Sequence, residues 1–332
     1  MSGYRALALA ALRAVQVRSA TSYSWCGAVS APLDPQIESA MTPEVAREFL
    51  VYQLQQELYG SFYCRGFPAP GSGRTATVSP AVNSSAFVEA LSAANHARGT
   101  LQPGWQIRER DAGQLVVERD GLALWVAPTQ TVAEHGATHV RLRMPSELRK
   151  ASPGFYMALG ERAIAELESA GLVRLYWHLT SGAAPKLLDL LTRSLNRAGY
   201  PFQLKVINDR DGYDRCDAGV LYAPRELFAE LSPSVVSAHR AIERELRSTT
   251  PAFTKRLAHG LGLAEDPGGG QSFGMHRALL LARAAVRAHE RACQDDERRE
   301  AVLEEVFAEQ GLDLDRPYLC RDSNDDYALA AR

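Results

Sequence analysis

Leu172-Val173-Arg174-Leu175-Tyr176-Trp177-His178-Leu179-Thr180, then Pro185–Ala198, then Phe202-Gln203-Leu204-Lys205-Val206-Ile207, is the stretch that decides the fold. Successive side chains of a strand point to opposite faces, so Val173, Leu175, Trp177 and Leu179 share one face, and Arg174, Tyr176 and His178 the other. Between the two strands, Leu187, Leu188, Leu191 and Leu195 recur at helical spacing and predict a helix over Pro185–Ala198. Phe202, Leu204 and Val206 repeat the alternation, with Gln203 and Lys205 opposite. Upstream, His139–Met144 sets Val140, Leu142 and Met144 against His139, Arg141 and Arg143. Each strand thus has an apolar face for the core and a second face that is cationic or titratable.

Outward from this centre, Gly219–Tyr222 reads as a further strand, and Glu226–Arg247 and His276–Arg299 as long helices. Pro153–Ala170 also reads as a helix. Trp105–Arg110, Gln114–Arg119 and Leu122–Val126, separated by Asp111-Ala112-Gly113 and Asp120-Gly121, predict a small antiparallel meander. Phe67–Pro80, rich in Gly, Pro, Ser and Thr, reads as a loop. Thr42-Pro43-Glu44 opens a helix that runs to Tyr59, with a capping residue and a proline in the first turn. The fold class is α+β: a central, mostly antiparallel sheet flanked by helices, with largely helical N-terminal and C-terminal parts. Residues 1–100 form a helical region suited to leader-peptide or partner docking, and 101–332 an α+β domain that carries the chemistry.

Composition narrows the function classes. With 46% hydrophobic and 23% charged residues the chain of 332 is of globular type, and its formal net charge of −2 gives no general basic surface for nucleic acid. Cys26, Cys64, Cys216, Cys293 and Cys320 are odd in number, scattered and never spaced CxxC, which fits reduced thiols in a cytoplasm better than disulfides or a zinc knuckle. No stretch is long and apolar enough to span a membrane. Arginines interrupt the apolar run Tyr4–Arg13, which favours an amphipathic docking helix over a targeting segment. No HExxH motif exists and the eight histidines have no metal-ligand spacing, so neither a metal nor a cofactor is expected. Asp295-Asp296-Glu297 and Asp325-Asp326 lie in solvated charge runs, and no GxSxG suggests a hydrolase.

Alternation alone leaves two readings of the polar face. A wet sheet face often carries arginine and lysine. Against that, Arg, Lys, His and Tyr without a carboxylate among them would repel unless an anion sits between them, and the polar loop Asn208–Arg215 could bring Arg215 over the same face. Pro267-Gly268-Gly269-Gly270-Gln271-Ser272-Phe273-Gly274-Met275-His276-Arg277 adds a glycine loop and an N-cap before a helix, which suits an anion but is as often a flexible loop.

The blocks Pro185–Leu188, Tyr200–Val206 and Tyr213-Asp214-Arg215-Cys216-Asp217-Ala218-Gly219-Val220-Leu221-Tyr222 resemble the signature region of the HopA-type effector family. Leu148–Gly160, Phe253–Ala258 and Ser272–Arg277 agree with it, and the resemblance spans roughly 141–283. Members occur as secreted bacterial effectors and as LanY-like lyase components beside a separate kinase in class V lanthipeptide and thioamitide pathways. The resemblance implies elimination of phosphate from phosphoserine or phosphothreonine of a ribosomally made precursor peptide. Its expected partners are that peptide, a Ser/Thr peptide kinase in complex with this chain, and a cyclase, with no nucleic acid and no membrane.

In logic the family is similar to phosphothreonine lyases of the OspF and SpvC type, which use a lysine base, a histidine acid and phosphate-binding arginines. Carried over, Lys205 is the base, His178 the acid and Arg215 a phosphate ligand, joined by Arg141, Arg143 and Arg277. Tyr176, Tyr222, Lys186 and His276 are the substrate-orienting candidates. Tyr176 departs from the pattern, because those lyases have lysine two residues before the histidine. The alternatives are a non-catalytic phosphopeptide-binding protein and a type III effector-like protein acting on a cellular phosphoprotein.

Overall fold

The alternating runs assemble into a seven-stranded sheet whose strands pair antiparallel, in a computed structural model that describes residues 3–67, 85–111, 113–134, 136, 138–152, 154–162 and 171–329. Three short strands come first: β1 (Val15–Val17), β2 (Tyr23–Trp25) and β3 (Ala28–Val29). A five-stranded sheet then holds β4 (Leu101–Asp111), β5 (Gln114–Arg119), β6 (Leu122–Val126), β7 (Thr131–Ala133) and β8 (His139–Arg143), in the order β6-β5-β4-β8-β7. The large sheet is built from β9 (Glu147–Ser152), β10 (Phe155–Leu159), β11 (Leu172–Trp177), β12 (Gln203–Ile207), β13 (Gly219–Pro224), β14 (Lys255–Ala258) and β15 (Leu261–Glu265). Its order is β14-β15-β11-β13-β12-β10-β9.

The helices are α1 (Gly3–Ala14), α2 (Pro35–Ser39), α3 (Pro43–Glu57), α4 (Ser85–Ala93), α5 (Ala183–Ala198), α6 (Phe228–Ile242), α7 (Phe273–Glu290) and α8 (Asp296–Glu309). The class is α+β, as the alternation predicts. Helix α5 covers the apolar face of the large sheet: Leu187, Leu188, Leu191 and Leu195 are buried, and a Cβ on Gly219 would meet Leu179 at 2.7 Å and Leu187 at 3.4 Å. The polar face is covered too. Helix α3 continues into a π-helical turn, Leu58–Tyr63, and this turn meets the start of α7 over the sheet, with the Phe273 ring 6.2 Å from Tyr63 and 6.5 Å from Tyr176.

The N-terminal helix packs Ala8, Leu9, Ala11 and Leu12 into the main core beside α7 and α8, and Arg5 Nε reaches Asp315 at 2.7 Å. The predicted meander is present, extended by β8 and β7 and closed around a separate small core of Trp105, Leu115, Val117, Val126, Val140 and Leu142.

Three elements differ from expectation. Phe155–Leu159 is a strand, not the start of a helix: Tyr156 and Ala158 are fully buried, and the segment pairs with both β12 and β9. A short apolar run has no period that separates strand from helix, so its neighbours decide; 163–170 lie outside the described residues. The expected helix His276–Arg299 is two helices, because Asp295 caps the second by accepting from Arg298 N–H at 2.8 Å. Glu226–Arg247 is helical only over Phe228–Ile242, with 3-10 turns at both ends. Most of the expected loop Phe67–Pro80, from 68 onward, lies outside the described residues. Among the described residues no helix is long and apolar enough to cross a membrane.

A Cβ added at Gly274 would stand 2.3 Å from Tyr63 Cε1, so α7 can approach the π-helical turn only without a side chain there. Gly274→Ala is therefore expected to lower stability by about 1–3 kcal/mol through overpacking. Chemical denaturation measures this, and an unchanged midpoint would contradict the tight contact.

Candidate active site

Directly opposed residues of an antiparallel pair lie on the same face. Tyr176 opposes Val220, Val220 opposes Lys205, and Lys205 opposes Met157. One row along, Arg174 opposes Tyr222, which opposes Gln203. In the other direction, Phe155 opposes Ile207, whose N–H bonds Ala218 C=O, while His178 N–H bonds Gly260 C=O. The amine of Lys205 and the imidazole of His178 therefore rise from one face, with only Ala218 and Val220 of the central strand between them. Two strand spacings and a two-residue step put their Cα atoms roughly 12 Å apart. Ala218 and Val220 form the floor between their side chains.

A buried ion pair closes one end. Arg215 holds Asp217 in a fork, Nε to Oδ1 at 2.8 Å and Nη2 to Oδ2 at 2.7 Å, and Nη2 also donates to Tyr59 Oη at 3.0 Å. The two are 9% and 6% exposed, so the fork is desolvated and strong once formed. Its guanidinium lies 5.6 Å from the centre of the Phe155 ring, and Lys205 Nζ lies 3.7 Å from that centre. Tyr59 stacks on Tyr63 at 5.6 Å, so the π-helical turn supplies two aromatic walls. Such turns recur at functional sites because the extra residue re-aims side chains.

Burial, followed by the charges of Arg215 and Arg174, lowers the Lys205 pKa from 10.5 to about 8, while Asp217 works in the opposite sense. Burial pushes Asp217 up, but Arg215 and Lys205 bring it below the ordinary carboxylate value. Burial and then Arg247 lower His178, whose Nδ1 lies 2.8 Å from Thr249 Oγ1. His178 Nε2 and Tyr176 Oη are buried with no hydrogen-bond partner among the described residues, although Tyr176 lies beside Tyr63. The His178 nitrogen, on the face that carries Lys205 and Arg215, suits a polar ligand. Arg174 is already occupied: Nε reaches Asp266 at 2.7 Å and Nη2 donates to Gln271 C=O at 3.1 Å, under the Tyr222 ring.

The fold thus brings together Lys205, His178, Tyr176, Tyr222 and Arg215. It does not bring Arg141 and Arg143 to them: both project, exposed, from β8 of the other sheet, and Arg143 donates to Arg98 C=O at 3.1 Å. Like charges that alternation places on polar strand faces are thus divided between two sheets. Arg277, 1% exposed, spends its donors on Pro317 C=O at 2.7 Å, Leu319 C=O at 3.2 Å and His276 Nδ1 at 2.6 Å. It fastens the C-terminal segment, and burial and Arg277 lower His276 to about 4. Lys186 stands exposed on α5, paired with Glu245 at 2.6 Å.

Sequence reasoning missed Asp217, Arg174, Phe155, Tyr59 and Tyr63 as site residues. The alternating charges of Arg215 and Asp217 and the two tyrosines four apart were the available signals. Among the described residues no group of three or more His, Cys, Asp or Glu could hold a metal ion.

The HopA1 effector protein family matches residues 146–319, more than half of the chain. The chain belongs to this HopA1 family. Every residue of the cluster except Tyr59 and Tyr63 lies inside the matched region, whereas Arg141 and Arg143 fall outside it. The fold is similar to the effector protein from Pseudomonas syringae pv. tomato strain DC3000, at 17% identity and TM-score 0.46, over 86% of this chain and 94% of that one. It is also similar to the effector protein from Pseudomonas syringae pv. syringae strain 61, at 17% identity and TM-score 0.44, over 82% of this chain and 96% of the other. No curated protein matches the sequence.

Two outcomes follow from the electrostatics. Because the folded-state pKa of Lys205 lies below its unfolded value, its charge destabilises the fold fully below about 8, and the cost fades as pH rises to 10.5. Lys205→Met should raise thermal stability at neutral pH by up to about 3 kcal/mol, a gain lost at high pH; equal gains at all pH values would refute the burial. Asp217→Ala, which leaves Arg215 charged and unpaired, should cost about 3–5 kcal/mol in a urea titration, and a cost near zero would show the pair to be solvated.

Proposed function

We propose that this chain is a phospho-Ser/Thr lyase that eliminates phosphate from a ribosomally made precursor peptide, leaving dehydroalanine or dehydrobutyrine. The observation that supports it best is the Lys205 amine, buried beside Arg215 and lowered to about 8, on the same face as an imidazole with an orphaned nitrogen. Neutral Lys205 takes the α-proton, and the electron pair of that C–H bond forms the new C=C bond. The Cβ–O bond breaks, phosphate departs with its electrons, and His178 donates a proton to the leaving oxygen. An incoming phosphodianion raises the His178 pKa, charging the acid only when substrate is present.

Arg215 has Nη1 left over after binding Asp217 and Tyr59, and this donor, with Tyr176 Oη, is suited to the phosphoryl oxygens. Side chains alone serve these steps. In this reading a separate peptide kinase, in complex with the chain in the cytoplasm, supplies the phosphorylated residue, and a cyclase consumes the alkene. The family description favours one second reading: an effector that performs the same elimination on a cellular phosphoprotein.

Purified protein mixed with a phosphoserine or phosphothreonine peptide should produce a mass loss of phosphoric acid. Lys205→Ala should slow this by about 10²–10⁴-fold. Wild-type kcat/KM should climb with pH until about 8, as Lys205 sheds its proton. Phosphopeptide binding without any mass change would replace the lyase reading with a non-catalytic binding protein, and full activity in Lys205→Ala would remove the assigned base.

A further inference from the structure

Strand β1 forms an outer edge of the small three-stranded sheet and pairs with β2 alone. Cys26 N–H bonds Ala14 C=O and Arg18 N–H bonds Ser22 C=O, which fixes the alternation: positions 14, 16 and 18 turn their amides toward β2. The carbonyls of Val15 and Val17 and the N–H of Val17 consequently point away from the sheet. An exposed edge of this kind is a template for another extended chain.

A cleft of about 310 Å³ lies against β1, between it and the end of α7. Its far wall is made of small residues, Ala285, Ala288 and Ala292, which allow a main chain to approach closely. Arg299 is the one fixed charge in its lining and no carboxylate lines it, so it complements an acidic segment, with Asp296 just outside interacting with the same guanidinium.

The cleft is also in a fixed relation to the candidate active site. Helix α7 starts with Phe273 against Tyr176 and ends at the cleft, and its 18 residues make it about 27 Å long. About eight extended residues cover that distance.

We infer that this cleft docks an extended acidic stretch of the phosphorylated polypeptide, added as a strand to the edge of β1 and separated from the phosphorylated residue by at least about eight residues. Docking here holds the substrate by its main chain and leaves the reacting residue free to change along the sequence. The identity of the occupant rests on the lyase reading, but the docking can be measured without turnover.

The probe is an unphosphorylated peptide of alternating Glu and Val, dye-labelled, titrated with the full chain and read by fluorescence anisotropy. It should bind more tightly than its Lys–Val counterpart. Arg299→Glu, an exchange at the cleft rim, should weaken it about tenfold, and Val17→Pro, which removes an outward N–H, should do the same. Joining this arm to a short phosphoserine peptide should lower KM for phosphate release with kcat unchanged. Equal binding of acidic and basic arms, or wild-type affinity in Arg299→Glu, overturns the inference. Arm binding without phosphate release upholds the docking and overturns the lyase reading; phosphate release without arm binding does the reverse.

Discussion

The fork between Arg215 and Asp217 is the constraint on which the rest of the site depends. An ion pair this deeply buried gives little net stability, since desolvation offsets most of its attraction. Its effect is positional. It fixes a guanidinium between Tyr59 and Phe155 beside the Lys205 amine, whose pKa is lowered mainly by burial and further by that charge. Asp217 outweighs Arg215 at this amine, because its carboxylate supports the charged lysine more than the guanidinium opposes it. Burial against this pair sets the amine near 8, low enough to shed a proton near neutral pH.

That arrangement needs a sheet covered on both sides. Helix α5 seals the apolar face with leucines, as ordinary packing requires. The opposite face is sealed by a π-helical turn and the start of α7, which contribute Tyr59, Tyr63 and Phe273, and the polar residues beneath become buried rather than wet. Gly274 is the point where these covering elements touch, and Ala218 and Val220 keep the floor low between Lys205 and His178. Buried charge and unsatisfied polar atoms lower stability, a cost commonly found where sites are preorganised for a ligand.

Much of this was legible in the chain. Alternation over Leu172–Thr180 and Phe202–Ile207 placed Tyr176, His178 and Lys205 on one face because a period of two is a local property that pairing preserves. Sheet membership is not local. Arg141 and Arg143 alternate just as Lys205 does, yet β8 joins a different sheet, and no period in the sequence records which strands pair. Phe155–Leu159 was misread for a related reason: its apolar residues are neutral between helix and strand until β9 and β12 flank them. Arg277 resembled an anion ligand at a helix start, but the carbonyls that occupy it come from Pro317 and Leu319, distant in sequence. Tyr59 and Tyr63 stand on the π-helical turn, a local widening that no hydrophobic period in the sequence marks.

The site rests on a buried lysine held partly deprotonated at neutral pH beside a fixed guanidinium. Its most direct test is a proton-coupled NMR titration of the Lys205 side chain in the intact protein. A midpoint near 8 is expected, moving upward when Arg215 is replaced by glutamine. A midpoint at the ordinary lysine value of 10.5, unmoved by that replacement, would contradict it.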